Sequence, residues 1–353
     1  MLNFALVGCG RIATRHADLL ASGQIRGARL AAVCDSIEAR ASAFGRKHSV
    51  PHFTDCHAMM RSLGTSIDLV IIAVQSGSHA RVCQDLAPYG KHIVVEKPIA
   101  LTLEDADAMI AACDRAGVRL FTVLQNRYNV PVRKLRQAMD AGRFGKLVLG
   151  TVRVRWCRRQ DYYDQDAWRG TWAEDGGVFA NQASHHVDLL QWMMGDVESV
   201  FARSATRLVN IEVEDTGVAL LKFASGALGV VEATTAARPK DLEGSISILG
   251  EHGTVEIGGF AVNHMTTWNF HDGDASDPAT LEEYRENPPN VYGFGHMRFL
   301  QDVADCIAEN RPGATDGRDG RRSLALIIAI YESIARGAEV PTTVESKLAL
   351  LGR

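Results

Sequence analysis

A short apolar run, Leu2–Val7, breaks directly into Gly8-Cys9-Gly10 and then into a helical pattern marked by Ile12, His16, Leu19 and Leu20. No other feature restricts the fold as strongly, because the strand-then-helix order recurs down the first third of the chain. Apolar runs at 30–34, 68–74, 92–95 and 118–124 alternate with helical patterns at 35–48, 79–86 and 103–116. The runs are continuous rather than alternating, as strands covered on both faces must be. Strands and helices in this order predict a parallel, doubly wound sheet.

The glycines at the first turn carry chemistry. Gly8, Gly10 and Ala13 fit the G-x-G-x-x-[G/A] spacing that lets a backbone approach a pyrophosphate at a helix N-terminus. Arg11 and Ile12 fall in the first turn of that helix. Asp35 closes the second strand, where a carboxylate accepts hydrogen bonds from both adenosine ribose hydroxyls. It also repels a 2′-phosphate by about 1–4 kcal/mol at roughly 4 Å, which favours NAD over NADP; nearby Arg40 makes that exclusion incomplete. An ordinary tight turn followed by an N-cap aspartate is the competing reading. The loops Gln75-Ser76-Gly77-Ser78-His79 and Glu96-Lys97-Pro98 leave the carboxyl ends of later strands, where ligands of such sheets bind. Ser76, His79, Glu96 and Lys97 are therefore grouped with the cofactor site, as are Gln125 and Trp168. For Lys97 the alternative is a surface lysine paired with Glu96.

A length of 353 residues suggests two domains, divided as 1–124 and 125–353. Lys+Arg is 38 against 42 Asp+Glu, and no basic run offers a nucleic-acid surface. The seven cysteines are scattered and never spaced C-x-x-C, which argues against a disulfide framework or a zinc knuckle and for reduced thiols. No stretch reaches the roughly 18 apolar residues of a membrane span, and MLNFALVGCG lacks a basic leader. The expectation is a soluble cytoplasmic protein.

Beyond residue 124 the pattern changes. Residues 147–156 alternate apolar and polar, and the same period returns at 200–206, 213–223, 227–234, 245–249, 254–257 and 261–270. Such strands form an antiparallel sheet with two unlike faces, one covered by helices and the other a natural subunit interface. Ser225-Gly226 and His252-Gly253 mark hairpin turns. Residues 272–290 look the most loop-like, and a last helix at 322–336 is expected to pack back on the first domain.

Between these parts Gly176-Gly177 precede a predicted helix over 178–194. On it Asn181, His185, Asp188 and Trp192 share one face, with Val187, Leu190 and Met194 opposite. His185 suits a general base; a buried histidine satisfied by Asp188 is the alternative. Adjacent His185 and His186 point about 100° apart on a helix, and no HExxH or His-x3-His spacing exists, so no metal is expected.

GCGRIA, Glu96-Lys97-Pro98, and Gly176-Gly177 followed by a polar residue with His four places later resemble the glucose-fructose oxidoreductase / inositol dehydrogenase (Gfo/Idh/MocA) family along nearly the whole chain. The resemblance implies a Rossmann domain joined to an open-faced, mainly antiparallel sheet domain, with homodimers or homotetramers formed through the sheets. It also implies that Lys97 and His185 line the site where a sugar or polyol hydroxyl is oxidised. Many members carry Asp where this chain has Asn181. A narrower likeness explains that: Tyr162-Tyr163, WRGTW, NQASHHVDLL, IEVEDTG, LEGSISILGEHGTVEIGG and VYGFGH resemble the bacterial WlbA-type subgroup, in which Asn is usual at this place. Those enzymes oxidise the 3-hydroxyl of UDP-N-acetyl-2-amino-2-deoxy-D-glucuronate for O-antigen and lipopolysaccharide sugars, some recycling the nicotinamide with 2-oxoglutarate.

The expected catalytic set is Lys97, His185 and Asn181. Arg158, Arg159 and Arg169 are candidates for the uronate or diphosphate, with a solvated basic rim as the alternative. Tyr163, Gln182 and His296 complete the expected substrate contacts, although Tyr163 and Trp168 also suit a core. A free sugar or inositol as substrate, and an NAD-binding sensor without turnover, are the competing functions.

Overall fold

The computed structural model describes residues 1–273, 277–286, 293–313, 315–344 and 346–353. The chain divides into two compact units, Met1–Leu124 with His296–Arg322, and Gln125–Gly295 with Ser323–Arg353.

The first unit contains the strands β1 (Leu2–Val7), β2 (Ala28–Cys34), β3 (His52–Phe53), β4 (Leu69–Ile72), β5 (His92–Val95) and β6 (Leu120–Thr122). They form one six-stranded sheet in the order β3-β2-β1-β4-β5-β6, every neighbouring pair parallel. The order reverses between β1 and β4, and such a switch point opens a crevice beyond the strand ends. All four residues of β4 are buried, which is why that strand reads as an unbroken apolar run. The helix Arg11–Ala21 buries Ala13, His16, Ala17, Leu19 and Leu20 as one stripe. Full burial of each such leucine stabilises by about 1.5–3 kcal/mol.

The second unit carries β7 (Leu147–Arg155), β8 (Val197–Ala205), β9 (Thr216–Phe223), β10 (Leu228–Thr234), β11 (Glu243–Gly250), β12 (Gly253–Gly258), β13 (His264–Phe270) and β14 (Val340–Pro341). These eight strands are ordered β13-β12-β11-β7-β10-β9-β8-β14. The sheet is mainly antiparallel, with β7 and β10 its one parallel pair among the described strands. One face takes the helix Ser184–Met194. Gly150 of β7 permits that contact, since a Cβ there would lie 2.7 Å from Leu190 and 2.8 Å from Met194. On the opposite face Val218, Leu220 and Leu228 are exposed.

Several expectations are corrected. The helix over 178–194 is two pieces, a π-helical turn at Val178–Gln182 and the α-helix Ser184–Met194. The last helix begins earlier, at Gly317. The segment His296–Arg322 joins the first unit instead of following the single cut at 124. A helix, Asp277–Glu283, lies in the stretch read as loop. A further helix, Val130–Asp140, carries Pro131 in its first turn, where no N–H is needed.

Candidate active site

In the first unit, Gly8 has φ +96°, and a Cβ there would lie 2.5 Å from the Ala73 carbonyl at the end of β4. Only glycine fits. Gly10 is different, because a Cβ there would meet nothing within 4 Å. The protein itself does not require that glycine; the open space suits a ligand's close approach. Gly10 is the N-cap of Arg11–Ala21 without a side-chain cap, and that helix has no acidic residue in its first turn. Its terminal N–H groups are thus suited to an anion. The Cys9 N–H donates to Asp35 Oδ2 at 2.7 Å, and the Ile37 N–H donates to Oδ1 at 2.8 Å. Each carboxylate oxygen keeps acceptor capacity for a ribose hydroxyl.

Arg11 is exposed, while Ile12, Ser76 and Lys97 are half-buried. His79 is buried with Nδ1 2.9 Å from the Pro98 carbonyl and Nε2 3.1 Å from that of Val74. Burial lowers its pKa despite those carbonyls. It ties together the two loops expected at the cofactor.

Glu96 Oε1 lies 2.7 Å from His16 Nε2 and 3.8 Å from His296 Nε2. Its Oε2 accepts the Lys97 backbone N–H at 3.2 Å. Although burial acts to raise it, contacts with the two imidazoles hold the carboxyl well below its ordinary value. His296 is 1% exposed and lies beside Glu96. Val291 and Tyr292 of its motif lie outside the described residues. His16, Glu96 and His296 place ligand-type atoms within 4.8 Å of one another, but the His16–Glu96 spacing is that of a charge-assisted hydrogen bond. In the sequence His16 falls in the helical pattern with Leu19 and Leu20, and a histidine at such a place is the signal of its buried role.

In the second unit, His185 is buried and its Nε2 lies 2.7 Å from Gln125 Nε2. The amide nitrogen can only donate, which leaves the imidazole lone pair on Nε2 and the proton on Nδ1. Asp188 is engaged by an arginine: it forms a bidentate pair with Arg127, at 2.8 Å and 2.7 Å, both groups being buried. Trp192 stacks under Arg127 and Arg136. The amide of Asn181 donates to Asp175, and Asn181 Oδ1 accepts from Gln182 Nε2 at 3.1 Å.

Beside them, Arg158 Nε donates to Gln182 Oε1 at 3.1 Å and its Nη1 to Asp241 at 3.0 Å. Arg169 donates to the Tyr162 hydroxyl at 2.9 Å and lies over the rings of Tyr162 and half-buried Trp168. Gln182 also donates to Tyr162 Oη at 3.2 Å. Arg158, Arg169, Gln182 and Asn181 are therefore one polar cluster with Tyr162 at its hub. Arg159 is exposed and donates to the Pro239 carbonyl. Tyr163, the tyrosine expected here, is buried against Thr235 at 3.3 Å, and desolvation pushes its hydroxyl up to about 12. Its half-buried neighbour Tyr162 is the tyrosine that joins the polar cluster.

Comparison with known proteins gives a consistent picture. Residues 2–124 match the oxidoreductase family model with an NAD-binding Rossmann fold, and residues 132–256 match the GFO/IDH/MocA C-terminal domain. The WlbA dehydrogenase from Bordetella pertussis, solved with NADH and UDP-GlcNAcA, is 41% identical with a TM-score of 0.86, over 98% of this chain and 99% of that one. Its counterpart from Chromobacterium violaceum, solved with the same two ligands, is 41% identical with a TM-score of 0.90, over 98% and 96%. The myo-inositol 2-dehydrogenase of Thermotoga maritima is 28% identical over 94% of this chain and 96% of its own length.

Asp35 then offers a direct check. Replacing it with Ala should narrow the affinity gap between NAD and NADP by about fivefold or more, as expected from removing a repulsion of about 1–4 kcal/mol. Cofactor titrations followed by tryptophan fluorescence measure the ratio; an unchanged ratio would remove Asp35 from cofactor selection.

Proposed function

The chain belongs to the Gfo/Idh/MocA family of NAD-dependent oxidoreductases acting on the CH–OH groups of sugars or polyols, and from that premise we propose that it oxidises the 3-hydroxyl of UDP-N-acetyl-2-amino-2-deoxy-D-glucuronate to the 3-keto sugar. The observation that carries this reading is the 41% identity, over nearly the whole chain, to two dehydrogenases solved with NADH and UDP-GlcNAcA. The cluster of Arg158, Arg169, Tyr162 and Gln182 supports it, because guanidinium forks suit a uronate or a diphosphate.

NAD, when bound, supplies the hydride acceptor. Gly8, Gly10 and the N-terminus of Arg11–Ala21 would hold its diphosphate, and Asp35 its adenosine ribose. His185 takes the hydroxyl proton on Nε2, the lone pair that the Gln125 amide otherwise occupies. Lys97 steadies the negative charge developing on the substrate oxygen. Asn181 orients the sugar ring. A neutral amide at this place leaves the acid–base work to His185 and Lys97.

The inositol dehydrogenases among its relatives favour a second reading, the same chemistry on a free polyol. A sensor that binds NAD without turnover would need neither His185 nor Lys97. We further assign the exposed apolar face of Val218, Leu220 and Leu228 to association with a second copy, and the reaction to cytoplasmic synthesis of O-antigen and lipopolysaccharide sugars, with 2-oxoglutarate regenerating the oxidised cofactor.

The test is turnover of the UDP-sugar, the same uronic acid without UDP, and myo-inositol, each with and without 2-oxoglutarate. A keto product from the UDP-sugar alone is expected. Equal turnover without UDP would replace this reading with the polyol one, and a product that forms freely without the oxoacid would remove the recycling.

A further inference from the structure

The π-helical turn that carries Asn181 and leads into His185 has no cap of its own. Its N-cap is Gly177, which has no side chain to offer, and helix starts leave several N–H groups to be satisfied from elsewhere. Here they are met by two residues far away in the chain. The Val178 N–H donates to the Glu214 carbonyl at 3.0 Å, and the Phe179 N–H to Glu214 Oε1 at 3.1 Å. The Gly177 and Ala180 N–H groups both donate to the Tyr331 hydroxyl, at 3.2 and 3.3 Å. That hydroxyl in turn donates to Glu214 Oε1 at 2.8 Å. Glu214 is 4% and Tyr331 3% exposed, and the turn between Val178 and Gln182 contains no ionisable side chain.

The fit is sterically tight. A Cβ on Gly177 would lie 2.0 Å from Glu214 Oε2, so the glycine and the glutamate are matched to each other. This explains Gly177 and the second glutamate of IEVEDTG as one device, where the sequence showed two separate motifs. π-helical turns are rare and cluster at functional sites. Without the distant cap, this turn would have no evident reason to hold its irregular winding.

We propose that Glu214 and Tyr331 are positioning residues for the dehydrogenase reaction: they hold the turn that sets Asn181 and His185 in register with the substrate hydroxyl. The proposal rests on His185 being the base and not on which sugar is oxidised. Glu214→Gln keeps the size and one acceptor oxygen while changing the charge, and Tyr331→Phe removes the bridging hydroxyl alone. Each is expected to lower kcat at least tenfold, with KM changed less than threefold and NAD affinity unchanged. The ¹⁵N imidazole resonances of His185, assigned with His185→Gln, are expected to shift in both variants. They serve as the readout whether or not the UDP-sugar proves to be the substrate. A Glu214→Asp variant draws the acceptor oxygen away from the Phe179 N–H and the Tyr331 hydroxyl and should lose at least as much as Glu214→Gln. Wild-type kcat and unmoved His185 resonances in both Glu214→Gln and Tyr331→Phe would overturn the proposal and leave the pair as core filling. A kcat loss with unmoved resonances would overturn it too, by placing the effect away from His185.

Discussion

His185→Ala is expected to lose about 10²- to 10⁴-fold in kcat, the usual contribution of a positioned general base, while binding NAD as tightly as the wild type. The asymmetry follows from where the groups lie. His185 belongs to the second unit, whereas the Gly8–Gly10 turn and Asp35 belong to the first. Removing the imidazole also frees the Gln125 amide that now donates to it, so Gln125→Ala should not reproduce the loss. Steady-state kinetics paired with a cofactor titration decide the matter. A fall of less than threefold in kcat would remove His185 from proton transfer and shift that role to Lys97.

Asp188→Ala is expected to cost about 3–5 kcal/mol of unfolding free energy, the range for breaking a buried ion pair from one side. Arg127 is 7% exposed and Asp188 3%, and both carboxylate oxygens are engaged by the guanidinium. Arg127 sits in the segment Gln125–Tyr128 and Asp188 in the helix Ser184–Met194. The pair therefore pins together the two segments that contribute Gln125 and His185. Arg127→Met combined with Asp188→Ala should cost clearly less than the sum of the two single changes, because no charge is then stranded. Urea unfolding of the four proteins measures this. A single-variant cost below about 1 kcal/mol is what an exposed pair gives, and would contradict the burial argument.

The parts of the site that were legible in the sequence are those encoded locally. The glycine spacing at Gly8 and Gly10, the aspartate closing β2 and the strand-end loops at Ser76 and Glu96 all lie next to the elements that present them. Partnerships across long separations were not legible. Glu96 finds His16 80 positions back and His296 far ahead, and neither pairing leaves a periodic trace. Tyr162 and Tyr163 illustrate a second limit. Adjacent residues in the short helix Gln160–Tyr163 face different ways, and composition does not say which one meets the core. The broken helix at Ala183 is a third case. A continuous apolar and polar stripe reads the same for a π-turn followed by an α-helix as for one long helix, and the determinant of the difference, Glu214 with Tyr331, lies elsewhere in the chain.

The sheet of the second unit was read well strand by strand because its inner and outer faces differ in polarity. Its order was not accessible. The parallel neighbours β7 and β10 are separated in sequence by β8 and β9, and alternation alone carries no information about which strands pair.

The most direct measurement is the fate of the hydrogen on C3 of the sugar. UDP-N-acetyl-2-amino-2-deoxy-D-glucuronate deuterated at C3 would be incubated with the protein and NAD, with and without 2-oxoglutarate, and the products weighed by mass spectrometry. The account predicts a 3-keto sugar without deuterium and the label on the reduced nicotinamide, or on 2-hydroxyglutarate when the oxoacid is present. Deuterium retained on the UDP-sugar, under conditions where the same protein oxidises myo-inositol, would contradict it.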